Sequence, residues 1–497
     1  MNVYEGISIG LYMLLMLAIG FYSYKKSTAN TEEFLLGGRS LGAAVTALSA
    51  GAADMSGWLL MGLPGAMYLS GLSASWIAIG LTFGAYMNYL LVAPRLRAYT
   101  EVAKNAITLP VFFENRFHDR SQSLKIASSL LILIFFTLYT SAGMVSGGRL
   151  FESAFNLDYN TGLIVTSLVV VLYTFMGGFL AVSLTDFVQG AIMVLALVIL
   201  PIVIISELGG FGETFAIIKS KSPDYLNLFR GTTTVGIISL LAWGFGYFGQ
   251  PHILVRFMAI DKVSELAKAR NIGISWMIFT VGGAMLVGLF GIAYLAKIDI
   301  GLMGQFDGSK ETAETIFIHL SRVLFHPLIG GFLLSAILAA VMSTISSQLL
   351  VTASSMTEDV YKALLHRDAS PSRMLLVSRL SVLIVAVIAI LLSLNPQDSI
   401  LNLVGNAWAG FGAAFGPVIL LSLLWRKSTR WGALSGMLTG GAIVLLWVYV
   451  PHDYKDVYEI IPGFFAGLLV NLMVSLLTYK PNSHIDKEFD EMEAMIR

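Results

Sequence analysis

The sequence predicts an all-α polytopic membrane protein with thirteen transmembrane helices, and three observations predict it. Of the 497 residues, 56% are hydrophobic and only 12% are charged, a balance outside the range of soluble domains. The apolar residues come in continuous runs of about twenty, the length of a helix that crosses a bilayer. A β-barrel would instead alternate in segments of about ten residues. The basic residues, finally, gather in every second connection between the runs, the asymmetry that positive-inside topology produces.

Taken in order, the runs cover 6–24, 41–69, 72–93, 126–148, 161–178, 187–206, 232–251, 272–296, 328–350, 374–394, 401–425, 431–450 and 459–478. The first lacks a cleavage-type ending and is followed by further spans, so it reads as a retained anchor. An odd count puts the termini on opposite sides. With the N-terminus outside, most of the 31 Lys and Arg residues fall on the inside. The connection around 179–186 carries no base and adds nothing to that test. Between spans, Glu311–Leu324 has the apolar spacing of a surface-lying helix. The acidic tail DKEFDEMEAMIR reads as solvated, and no soluble catalytic or signalling domain is attached.

Composition also removes function classes. Net charge is zero, which implies no nucleic-acid partner. Cysteine is absent, which excludes disulfides, thiolate metal sites and thiol catalysis. The seven His residues fall at loop or helix-end positions, and no pair of acids shares a depth in the spans, so no enzyme constellation is predicted.

One residue stands out against this background. Asp54 lies inside the uncharged run Leu41–Gly71, between Gly51 and Gly57, as the lone carboxylate near the middle of a span. An acid at that depth costs several kcal/mol and by default faces a cavity or a partner. The flanking glycines weaken the helix where backbone carbonyls can turn toward an ion. A second interruption is written in AWGFGYFGQPHI, with Gly244, Gly246, Gly249 and Pro251; Pro251 biases Gln250 away from helix. Interrupted helices in spans 2 and 7 make spans 2–6 and 7–11 two five-helix units of opposite orientation. In the alternative, span 7 simply ends there and its glycines serve close packing.

The blocks GGRSLGAAVTALSAGAADMSGWLLMGLPGAMYLSG, FFTLYTSAGMVSGGRLFES, YTFMGGFLAVSLTDFVQG, WGFGYFGQPHILVRFMA and SAILAAVMSTISSQLLVTASSMTEDVYKALL resemble those of the sodium/solute symporter family, most closely its proline branch. The likeness runs over essentially the whole chain. It implies thirteen helices, an outward N-terminus and a ten-helix inverted-repeat core. The chain then divides into a first helix and loop (1–40), two five-helix repeats (41–206 and 207–425), two peripheral helices (426–479) and a cytoplasmic tail (480–497). It further implies sodium-coupled symport of L-proline across the bacterial cytoplasmic membrane, with Na+ as the coupling ion, no organic cofactor and no obligate protein partner. The same family also holds carriers of pantothenate, sugars and other amino acids, and a transporter-like sensor is a more distant alternative.

For the site, the resemblance places a sodium ion between the hydroxyls of Ser343 and Thr344 and the carbonyls of Ala52, Met55 and Ala340. These are the hard oxygen donors such an ion requires, although hydroxyls in membrane helices also commonly bond back to their own turn. Asp54 has three roles open to it: ion ligand, charge compensation from behind the ligands, or acceptor for the substrate's amine. Ser56, Gly57 and Trp58 follow on a turn whose N–H groups suit a substrate carboxylate. Tyr139, Trp243, Tyr247 and Pro251 match positions along the family's substrate pathway, where aromatic faces suit a secondary ammonium; core packing is their competing role. Arg39 is either a helix-end anchor or part of sodium coupling and the inner gate. Asp186, with Gln189 three residues on, fits a helix N-cap of the capping-box kind; the resemblance places it on the ion-release route.

Overall fold

An apolar chain in lipid has to satisfy its backbone N–H and C=O groups internally, and helices do this within one segment. The computed structural model describes residues 2–26, 31–298, 306, 308–365, 370–396, 398–454 and 456–496. Among the described residues it is helical throughout, with a single isolated β-bridge, Leu41 to Ile260. Ten helical stretches are long and apolar enough to cross a membrane, and Thr234–Gly249 is a shorter apolar one. The thirteen expected spans therefore do not stand as thirteen separate helices. Two stretches, Ala43–Val102 and Tyr159–Leu208, run for 60 and 50 residues, and each takes in two of the runs divided above.

The bends in these long stretches have local causes. In Tyr159–Leu208 the helix turns at Gly178, with φ 54° and ψ −143°. A Cβ at that position would lie 2.5 Å from the Phe34 carbonyl oxygen, so only glycine serves there. At 1.5 Å per residue a straight helix of this length would reach about 75 Å, more than twice the hydrocarbon thickness. The expected connection at 179–186 is thus helical, and the break precedes it.

The first broken helix runs from Ala43 to Gly57, with Ser56 at φ 33° and ψ −164°. It continues through a widened turn, Trp58–Gly62, into Leu63–Ser70 with Pro64 in its first turn. The second comprises Thr234–Leu241, a tight 3-10 segment Ala242–Gly249, and Pro251–Ala259. Gln250 between them is extended, at φ −84° and ψ 104°, as the following proline dictates. The helix Trp76–Met87 crosses this segment at backbone contact: a Cβ on Gly84 would sit 2.3 Å from the Gly244 oxygen. Close approach is what small residues permit in membrane packing.

Against the first of these breaks packs the helix Pro327–Ser354, buried along nearly its whole length. One end of each broken helix is tied to the other. Leu41 N–H donates to the Ala259 oxygen at 3.2 Å, and Asp261 N–H donates to the Leu41 oxygen at 3.0 Å. Arg97 adds bonds to the carbonyls of Ile260 at 2.7 Å and Asp261 at 2.9 Å.

Two surface expectations are corrected. Glu311–Leu324 is not one surface-lying helix: it divides into Lys310–Ala313 and Ile316–Val323, with Ile316, Phe317 and Leu320 buried. Glu314, at the division, is itself buried; it accepts N–H bonds from Ile400 and Leu401, both at 3.0 Å, and pairs with Arg149 at 3.1 Å. The tail is not wholly solvated either. It forms a helix, Ser483–Ile496, that buries Phe489 and Met492, sets Phe489 edge-on to Tyr99 at 6.0 Å and pairs Asp490 with Arg426 at 2.6 Å.

The turn before Ser123–Phe155 is held by Asp119, whose carboxylate accepts N–H bonds from Ser121 (3.0 Å) and Leu124 (2.9 Å), and hydroxyls from Ser121 and Ser123. Burial works against its ionisation, but these donors together outweigh burial and hold its carboxyl below the usual carboxylate range. A group with a depressed folded pKa stabilises above its unfolded pKa and loses that contribution as pH falls through the folded one. Asp119→Ala should therefore destabilise the protein by about 1 kcal/mol at neutral pH. The gap in thermal unfolding between variant and parent should close as the pH is taken below about 3.9, the ordinary carboxylate value. A gap that stays constant with pH would contradict this role.

Candidate functional site

The break at Ser56 turns the backbone of the first broken helix toward the serine-rich helix Pro327–Ser354. Ser343 Oγ donates to the Ala52 oxygen at 2.7 Å and lies 3.0 Å from the Ala340 oxygen. Thr344 Oγ1 lies 3.1 Å from the Ala340 oxygen and accepts the Ser56 N–H at 2.9 Å. Met55, whose oxygen accepts the Trp58 N–H, belongs to the same turn. All of these residues are buried. Two hydroxyls and the carbonyls of Ala52 and Ala340 are therefore linked by direct hydrogen bonds across two helices, with Met55 O one turn away. Soft donors are absent from the set, and its chemistry fits a hard monovalent cation.

The turn's N–H groups are less available than the sequence suggests. Ser56 N–H is taken by Thr344, and Trp58 N–H is used within the turn, 3.4 Å from Ser56 Oγ as well. Gly57 gives the turn its closeness: a Cβ there would fall 2.2 Å from Ser146 Oγ. Trp58 is buried, and its indole N–H donates to the Asp54 carbonyl at 3.3 Å.

The Asp54 side chain points elsewhere. Its Oδ2 accepts a hydrogen bond from Tyr247 Oη on the second broken helix, so the two breaks meet through this pair. Its Oδ1 accepts no hydrogen bond from any described residue. Beside it lies a cavity of about 30 Å³, lined among others by Met55, Asn88, Tyr89, Tyr247, Phe257 and Met277.

Of the other expected substrate residues, Tyr139 lies close to Asp54 and Ser56, whereas Trp243 and Pro251 sit apart. Tyr139 is buried, its hydroxyl without a hydrogen-bond partner among the described residues and its ring edge-on to His252 at 6.0 Å. Trp243 stacks on Tyr458 at 5.1 Å, while its carbonyl accepts the Trp408 indole N–H at 2.8 Å. Pro251 borders a separate small cavity with Thr108, Ser355 and Asp359. His252 is the second residue of the helix Pro251–Ala259, a helix-end position as expected, and it is fully buried.

Arg39 joins three elements. Its guanidinium donates to Thr100 Oγ1 at 3.2 Å, to the Met258 oxygen at 2.7 Å and to the Ala106 oxygen at 2.7 Å. It therefore holds the end of the second broken helix as well as anchoring its own.

Asp186 is no N-cap. It lies within the Tyr159–Leu208 helix, fully buried, and Gln189 donates to Tyr12 Oη at 2.8 Å instead of closing a capping box. Asp186 is as fully enclosed as Asp54. Asp186 Oδ2 accepts from Ser49 Oγ at 2.7 Å and from Arg256 at 3.1 Å. Arg256 further donates to the His252 oxygen at 2.6 Å, to Ser49 Oγ at 3.1 Å and to Ser347 Oγ. Sequence reasoning missed Arg256, counting it among the topogenic bases; its position five residues past Pro251, in the apolar run PHILVRFMA, was the available signal. Asn88 and Tyr89 carried no such signal, since a polar residue and an aromatic in a span are ordinary.

Comparisons with known proteins agree with this architecture. The model of the sodium:solute symporter family matches residues 34–440. The osmoregulated proline transporter OpuE of Bacillus subtilis is 58% identical over 99% of this chain and 98% of its own. The sodium/proline symporter 2 of Staphylococcus saprophyticus and the sodium/proline symporter of Staphylococcus aureus are each 54% identical, over 99% of this chain and 96% of theirs. Among solved structures, a Na+-coupled sialic acid symporter superimposes with a TM-score of 0.82 at 19% identity, covering 97% of this chain and 99% of that one. A nucleobase-cation-symport-1 family transporter follows with a TM-score of 0.56 at 12% identity, covering 94% and 99%; these two likenesses speak to the fold. Relatives aligned end to end at more than half identity, and a family match across most of the length, make this chain a multi-pass membrane transporter of the sodium:solute symporter family.

Proposed function

We propose that the protein couples inward sodium flow to uptake of L-proline by alternating access across the bacterial cytoplasmic membrane. The observation that carries the reading is the set of oxygens from Ala52, Ala340, Ser343 and Thr344 joining the first broken helix to the serine-rich helix. An ion held there stabilises one arrangement of the two helices, and its departure frees them. The proline assignment draws on the relatives, which are named for proline transport at 54–58% identity. In this reading the backbone of the Ala52–Ser56 turn frames the ion, and the Asp54 carboxylate receives the substrate's amine. Tyr247, Tyr139, Ser56, Gly57 and Trp58 border the substrate, with Trp243 and Pro251 lining its route. Arg39 closes the inner end of the pathway, and Asp186 stands on the ion's way out.

Two five-helix units, 41–206 and 207–425, form the core in opposite orientation, with 1–40, 426–479 and 480–497 outside it. The N-terminus lies outside and the C-terminus in the cytoplasm. No bond is made or broken in transport, so the protein is not an enzyme. The coupling is energetically sufficient: a sodium ion entering down a tenfold gradient releases about 1.4 kcal/mol, and each 100 mV adds about 2.3 kcal/mol.

The test is uptake of labelled proline into proteoliposomes with and without an imposed sodium gradient. Accumulation is expected only with the gradient, and sodium-independent accumulation would defeat the coupling. Unlabelled pantothenate, sugars and other amino acids, added in turn, should compete poorly. Strong competition by one of them would reassign the substrate.

A further inference from the structure

We propose that Asn88 and Tyr89, with Oδ1 of Asp54, form a second acceptor site for a small cationic group, distinct from the oxygens around Ser343. The proposal rests on reading the chain as a sodium-coupled symporter of an amino acid. That chemistry supplies two such groups, the ammonium of the solute and an alkali cation, and both require converging oxygens.

The geometry begins at the Asp54 turn, which has two faces. Its backbone meets the hydroxyls of Ser343 and Thr344 through Ala52 and Ser56. Its side chain is directed to Tyr247 and to the cavity beside it. The cavity's walls are mostly apolar, supplied by Ala47, Ala50, Ile253, Phe257 and Met277. Three of its lining residues carry polar atoms that have no hydrogen-bond partner among the described residues: Asp54 Oδ1, both amide atoms of Asn88, and Tyr89 Oη. Asn88 is fully buried, Asp54 is 2% exposed and Tyr89 8%.

Buried polar groups in proteins are nearly always paired, so unpaired ones gathered in a single cavity call for a ligand. Water alone answers for the amide and the phenol; the cavity has room for about two. It does not answer for an ionised carboxylate, which in apolar surroundings needs a counter-charge or else a proton. The contrast with Asp186 is direct. Asp186 has Arg256 at 3.1 Å, whereas Asp54 has no ion-pair partner among the described residues. The missing positive charge is the ligand's. At about 30 Å³ the cavity admits the N–H edge of a secondary ammonium or a bare ion.

Equilibrium binding of labelled proline and of sodium to the purified full-length protein tests this, using Asn88→Leu and Tyr89→Phe. Tyr89→Phe keeps the ring that packs on Phe257 at 4.8 Å, so the test survives if Asn88→Leu does not fold. If the site takes the solute's ammonium, proline affinity falls about tenfold or more while half-saturating sodium is unchanged. The ring-oxygen analogue tetrahydrofuran-2-carboxylate, which lacks the cation, then competes equally weakly in parent and variants. If the site takes an alkali cation, the sodium titration of the parent has a Hill slope above one, which falls to one in the variants. Parent-like binding of both proline and sodium by both variants would overturn the site. A parent protein that shows no sodium-dependent proline binding would instead overturn the proposed function.

Discussion

Ser343→Ala is expected to raise the sodium concentration for half-maximal proline uptake by about tenfold to a hundredfold, with the protein still folded and inserted. The hydroxyl sits 2.7 Å from the Ala52 oxygen and 3.0 Å from the Ala340 oxygen, where an ion would replace the hydrogen bonds with direct contacts. A polar contact to a charged group is worth about 1.5–3 kcal/mol, and each 1.4 kcal/mol is a factor of about ten in affinity. If Ser343 merely bonds back to its own turn, the change costs some stability and leaves the sodium requirement where it was. Ser335→Ala supplies the comparison: it removes a buried hydroxyl of the same helix that bonds only to the Gly331 oxygen at 2.9 Å. Sodium titrations of uptake for the two variants separate the outcomes, and equal titrations would remove Ser343 from the ion site.

Arg256→Met is expected to destabilise the folded protein by about 3–5 kcal/mol, the cost of leaving a buried charge without its partner. Both side chains of the Asp186–Arg256 pair are fully enclosed at 3.1 Å, so water cannot enter to compensate. Removing both charges, with Asp186→Leu added to Arg256→Met, should recover a large part of the loss, because an apolar pair is often as stable as a buried ion pair. The measurement is thermal unfolding of the two single variants and the double variant. Additive losses would show that the residues do not act as a pair. The pair also links Ser49 on the first broken helix, Asp186 on the long bent helix and Ser347 on the serine-rich helix. The expected damage is thus to the joint between moving parts, and uptake should fall further than stability alone accounts for.

Much of this architecture is written locally in the chain. Pro251 cannot follow a helical residue comfortably, and Gln250 is extended as a result. Glycines on either side of Asp54 mark a turn that does break, at Ser56. The adjacent hydroxyls of Ser343 and Thr344 do face the first broken helix, a meeting that the family likeness predicted and periodicity alone did not. Gly178 shows the limit of such reading. One glycine in an apolar run looks like packing, yet its positive φ moves the bend ahead of the connection that hydropathy marked at 179–186. The tail illustrates another: DKEFDEMEAMIR is acidic enough to look solvated, and only Tyr99 and Arg426 beneath it make Phe489 and Asp490 stick.

What the sequence by itself determined is the class of molecule and two of its helix breaks, beside Asp54 and at Pro251. These follow from properties each segment has alone: apolar length, the backbone limits of glycine and proline, and the cost of a charge in lipid. Only the tertiary structure decided which way the side chains face. It turned Asp54 to Tyr247, gave Asp186 to Arg256 seventy residues on, stacked Trp243 on Tyr458, and set Asn88 and Tyr89 in the lining of the cavity beside Asp54. Direction depends on how packed helices cross, and contacts such as Gly84 against Gly244 that set a crossing involve residues far apart in the chain.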